Sequence, residues 1–86
     1  MKDFTIAQSA DEDVYVAQVN KVRTELPNYV EVKRLQDVDG SDVCVFLYRE
    51  GSVEIHYDTI VGAVYVKSDI LTEDMLVNKP FHIKSA

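Results

Sequence analysis

Between Leu26 and Asn28 the spacing of apolar side chains changes from every third or fourth residue to every second one, which marks a helix giving way to strands. At about 100° per residue, Tyr15, Val19, Val22 and Leu26 fall on one stripe, with Asp13, Asn20, Lys21 and Thr24 opposite. A helix over roughly Ala10 to Leu26 is predicted, its stripe turned to the core. Ser9 and Glu12 have the spacing of a capping box, and Asp11, Glu12 and Asp13 suit the positive end of the helix dipole. Pro27 restricts Leu26 to extended backbone and ends the helix.

Strands follow. Val30 and Val32 share one face, while Leu35 has the wrong parity, so a bulge is predicted near Lys33 and Arg34. The run from Asp37 to Ser41 contains Asp39-Gly40 and reads as a hairpin turn. Val43 to Tyr48 is apolar on both faces, as in a central strand covered twice. The helix would cover one face, leaving Cys44, Phe46 and Tyr48 for a second layer that a chain this short does not supply. After a turn at Arg49 to Ser52, Val53, Ile55 and Tyr57 alternate with Glu54, His56 and Asp58. Thr59 to Val61 keep a β-like composition up to Gly62, and Ala63 to Val66 read as a further strand. Thr72 is placed to cap a short helix through Met75, Leu76 and Val77, and Phe81 and Ile83 suit an edge strand or docked tail. With a strand at Phe4 to Ala7 in front, the expected fold is a single α+β domain spanning 1–86. In it, an N-terminal strand and helix pack on an antiparallel meander of three to five strands, Tyr29 to Val66.

The 86 residues carry a formal net charge of −6 and a sequence pI near 4.7. Such a balance argues against direct binding to nucleic acid or anionic membranes, which is driven by clustered Lys and Arg. No apolar run approaches the roughly 20 residues of a membrane span, and the N-terminus lacks a signal-peptide pattern. One cysteine, Cys44, forms no internal disulfide, so a reducing cytoplasmic setting is expected. A domain this small buries little surface, so a partner protein or a second copy of the chain is expected to cover more.

Catalytic patterns are lacking. Counted from Asp37, a calcium loop would need Gly at its sixth place and Glu at its twelfth, where Asp42 and Tyr48 stand. His56 and His82 have no second ligand at zinc spacing, and Cys44 lies among apolar residues with no adjacent base. No enzyme activity, cofactor or metal is expected. The five tyrosines are the better lead, because tyrosine suits margins with one apolar and one wet side. The expected function is a small acidic protein-binding module: an inhibitor, antagonist or adaptor of the kind encoded by phages and other mobile elements. It would contact a protein partner, basic in character, through Tyr57, Tyr65, Tyr48, Glu54 and Asp58. Two alternatives are a nucleic-acid mimic that fills a basic cleft, and a small enzyme or ligand-binding domain.

Overall fold

The computed structural model describes residues 2–26, 28–36, 38–49 and 51–80. It contains β1 (Lys2–Ala7), α1 (Glu12–Glu25), β2 (Val30–Gln36), β3 (Asp42–Tyr48), β4 (Gly51–Asp58), β5 (Ala63–Ser68) and a 3-10 helix at Glu73–Met75. The strands form one antiparallel sheet in the order β1-β5-β4-β3-β2, the α+β arrangement expected from the period switch.

Because β1 and β2 are the two outermost strands, the chain between them must cross the whole sheet. Fourteen helical residues span about 21 Å at 1.5 Å each. Four gaps of about 4.8 Å between five strands give about 19 Å, so α1 has the length the crossing requires. Its stripe is buried as expected: Tyr15, Val19, Val22 and Leu26, together with Gln18, face the sheet. Beneath them lie Ile6, Phe46, Val53, Ile55, Val64 and Val66. The shortest dimension of the molecule is 20 Å, which is the thickness of two layers at about 10 Å spacing.

Several local expectations shift. The helix starts at Glu12 and its cap is Asp11, not Ser9: Asp11 Oδ1 accepts the Val14 N–H at 3.2 Å. The bulge in β2 lies between Glu31 and Lys33, earlier than the Lys33–Arg34 position expected. Glu31 is thereby placed opposite Phe46, where Arg23 donates to both its carboxylate oxygens at 3.0 and 3.1 Å and ties the helix end to β2. Gly51 begins β4 and does not belong to a turn, whereas Thr59 to Val61 turn and do not prolong a strand. The faces of β3 are the reverse of the expectation. Cys44 and Phe46 point at the helix and are buried, and Tyr48 shares their side, so the outward residues are Val43, Val45 and Leu47.

The C-terminal segment is fastened by two buried polar side chains. Ser68 Oγ donates to the Ser52 carbonyl at 2.8 Å and accepts the N–H groups of Ile70 and Leu71 at 3.0 and 2.9 Å, which turns the chain out of β5. Gln18 donates to the Met75 carbonyl at 3.0 Å and accepts the Val77 N–H at 2.9 Å. Thr72 does not cap a helix through Val77; its hydroxyl donates to the Asp74 carboxylate, and a single 3-10 turn follows. The expected strand at Phe81 and Ile83 lies outside the described residues.

Candidate functional site

One face of the sheet carries the helix, and among the described residues no element covers the other. Antiparallel pairing lines up cross-strand neighbours on that open face: Val30 with Leu47, Val45 with Glu54, Glu54 with Lys67, and Lys67 with Asp3. A second row runs Val43, His56, Tyr65 and Thr5. The face is therefore divided. Its β2–β3 half presents Val30, 60% exposed, and Leu47, 45% exposed, with Lys33 paired opposite Val45. Its β4–β5 half is polar.

In the polar half, the His56 ring stacks on Tyr65 with centroids 4.6 Å apart and planes 9° from parallel. His56 Nε2 lies 3.0 Å from Glu54 Oε1, and Lys67 Nζ is 5.8 Å from the centre of the Tyr65 ring. Tyr65 donates its hydroxyl to Asp58 Oδ2 at 3.3 Å. Burial, with the Asp58 charge second, pushes the Tyr65 phenol above its ordinary value. The Asp58 carboxyl is held below the usual carboxylate range, chiefly by the Val61 N–H and then by those of Ile60 and the Tyr65 hydroxyl.

A lowered native pKa means that the ionised form stabilises the fold above the unfolded-state value, about 3.9, and that this contribution is lost as pH falls through the native value. Asp58→Asn keeps the Oδ1 acceptor for both loop amides. It is expected to flatten the acid limb of the stability curve below about pH 4 by lowering the neutral plateau modestly, because the contribution of the ionised carboxylate is removed. Asp58→Ala also removes the acceptor and is expected to cost about 1 kcal/mol at pH 7. Urea titrations at stepped pH check both.

The five residues expected to contact a partner are not all brought together. Glu54 and Tyr65 share the open face, and Asp58 joins them at the end of β4. Tyr57 lies on the helix side, its ring 5.7 Å from Tyr15 and packed on the core. Tyr48 is also on that side, at the opposite end of the sheet, with the Arg49 guanidinium 5.3 Å from its ring centre. There it borders a groove of about 520 Å³ lined by Leu26, Arg49, Gly51, Asp69 and Ile70. Sequence reading missed Val43, Val45 and Leu47 as open-face residues; the signal was the parity of β4, whose polar residues pair with them.

Cys44 is buried, and its thiol donates to Glu31 Oε1 at 3.4 Å. Among the described residues no cluster of His, Cys, Asp or Glu is arranged to hold a metal ion, and no helix is long and apolar enough to cross a membrane. No family model matches the chain, and no curated protein or solved structure matches it.

Proposed function

We propose that this chain is a non-enzymatic protein-binding module, an inhibitor, antagonist or adaptor, that acts by seating the open face of its sheet on another protein. The observation that carries this reading is the divided face: exposed Val30 and Leu47 adjoin the Glu54, His56, Tyr65 and Lys67 cluster. An exposed apolar patch beside a polar, aromatic one has the mixed composition of a protein interface. A two-layer domain leaves such a face to be covered from outside. The same strip suits a second copy of the chain, and sedimentation at micromolar concentration separates self-association from binding to another protein.

With a partner captured by affinity pull-down from lysate and immobilised for surface plasmon resonance, Leu47→Ser and Tyr65→Ala are expected to speed dissociation roughly tenfold or more, as loss of buried anchors does. Glu54→Gln is expected mainly to slow association and flatten its salt dependence, because a rim charge steers encounter. Asp58 also holds a loop, so Glu54 is the cleaner test of steering. Unchanged rates in all three variants would place the contact elsewhere and refute the open face.

A further inference from the structure

The hairpin tips at one end of the sheet form a surface distinct from the open face. The β2–β3 turn and the β4–β5 turn emerge at this end, since Asp42 pairs with Tyr57 and Asp58 with Ala63. Val38 is fully exposed there, Ile60 is 80% exposed and Val61 73%. These are the three most exposed large aliphatic side chains among the described residues. A lone exposed aliphatic residue is ordinary, whereas three on adjoining turns need a reason.

The turns are also rigid. Thr59 donates its hydroxyl to the Asp39 carbonyl at 3.1 Å, so the 2.9 Å contact between Ser41 Oγ and Thr59 Oγ1 has Ser41 as donor. Ser41 Oγ in turn accepts the Thr59 N–H at 3.0 Å, closing a ring that locks one turn to the other. Asp58 Oδ1 accepts the N–H groups of Ile60 and Val61, both at 3.0 Å. Backbone at φ +90° for Gly40 and +74° for Gly62 is compatible with glycine and strained for other residues. Ile60 and Val61 are thus presented on backbone held by hydrogen bonds before any partner arrives.

Charge narrows the partner. Chain order and the Ala7–Val64 pairing bring the β1–α1 connection to this same end. The three segments 8–13, 38–43 and 57–63 contain six acidic residues and no Lys or Arg, and against them stands Lys79, whose neighbour Asn78 donates to the Ile6 carbonyl at 3.0 Å. Two such ends repel one another, and an anionic bilayer repels either. We infer that this acidic, aliphatic-tipped end is a docking knob for a protein with an apolar pocket ringed by Lys and Arg. This rests on the protein-binding reading above and assigns it an anchor apart from the sheet face. Preorganised turns lose little entropy on insertion, and the acidic collar speeds encounter with a basic rim.

Benzophenone side chains placed singly at positions 60 and 47 of the full chain, irradiated in cleared lysate of the source organism, test this directly. The position-60 probe is expected to attach to a peptide that lies in an apolar pocket flanked by Lys and Arg. Its yield should fall severalfold between 50 and 500 mM salt, roughly as screening shortens from above 10 Å to below 5 Å. Unlabelled wild-type chain should abolish the cross-link. The double variant Ile60→Ser/Val61→Ser, whose backbone bonds are untouched and whose melting curve should be unchanged, should compete at least tenfold less well.

Equal competition by that variant, or attachment to a second copy of the chain, overturns the knob. So does co-sedimentation of the chain with phosphatidylcholine–phosphatidylglycerol vesicles that the double variant abolishes. Cross-links from position 47 alone overturn the knob and leave the protein-binding reading standing. No specific cross-link from either position overturns both.

Discussion

Gln18→Leu is expected to destabilise the protein by about 2–4 kcal/mol, although leucine has nearly the same volume and a better helix propensity. Gln18 is fully buried, and its amide is the partner of both the Met75 carbonyl and the Val77 N–H. Leucine leaves both without that partner, and a buried unsatisfied polar group costs about 1–3 kcal/mol. Against a total stability of about 5–15 kcal/mol for a small domain, the loss is large. It should also be local. The segment that Gln18 holds brings Leu76 against the core, so undocking exposes that residue before the sheet itself opens. Hydrogen exchange should show Val77 losing its protection ahead of the β4 amides. Gln18→Glu should be worse than Leu at neutral pH, because a carboxylate cannot donate to the Met75 carbonyl and its charge is disfavoured by burial. It should recover partly under mild acid, when the protonated side chain can donate again. A Leu variant as stable as the parent would mean that the C-terminal segment does not depend on this amide.

Gly51→Ala is the second large effect, expected at about 1–3 kcal/mol, the range of overpacked sites. A Cβ at this position would lie 2.0 Å from Ile70 Cγ2, 3.2 Å from Ile70 Cβ and 3.1 Å from Asp69 Oδ1. The nearest atom belongs to a β-branched side chain with little rotamer freedom, so the 69–70 backbone must retreat. Retreat strains the 2.8 Å bond from the Ser52 N–H to Asp69 Oδ1 and alters the wall of the groove beside Tyr48. Ile70→Ala removes the closest obstacle. In a double-mutant cycle the two substitutions should couple by about 1 kcal/mol or more, with the pair less destabilised than the sum of the singles. Strict additivity in denaturant titrations would show that the alanine methyl is accommodated elsewhere.

The same contacts mark the limit of sequence reading here. Periodicity alone placed the helix stripe, because Tyr15, Val19, Val22 and Leu26 repeat at the helical angle and have only one apolar side to bury. It also located β4, whose Glu54, His56 and Asp58 mark one wet face. Strand β3 has no such mark. With Val43, Val45 and Leu47 as apolar as Cys44, Phe46 and Tyr48, either side fits the helix, and only pairing with β4 decides that Phe46, opposite Val53, turns inward. Gln18 falls at the flank of the helix stripe, but nothing in the sequence explains a buried amide there until a segment 57 residues away supplies a carbonyl for it.

Composition and spacing alone determined an acidic, single-domain α+β chain with one amphipathic helix ahead of its main strands, since those properties follow from local geometry and net charge. Which face stays open, and that the turns carrying Val38, Ile60 and Val61 emerge at one end of the sheet with acids drawn from three segments, were decided only by folding. Along the chain those acids are interleaved with Lys and Arg and read as a mixed surface. An antiparallel sheet returns alternate hairpins to the same end, here β2–β3 and β4–β5, and so gathers charges that the sequence keeps apart.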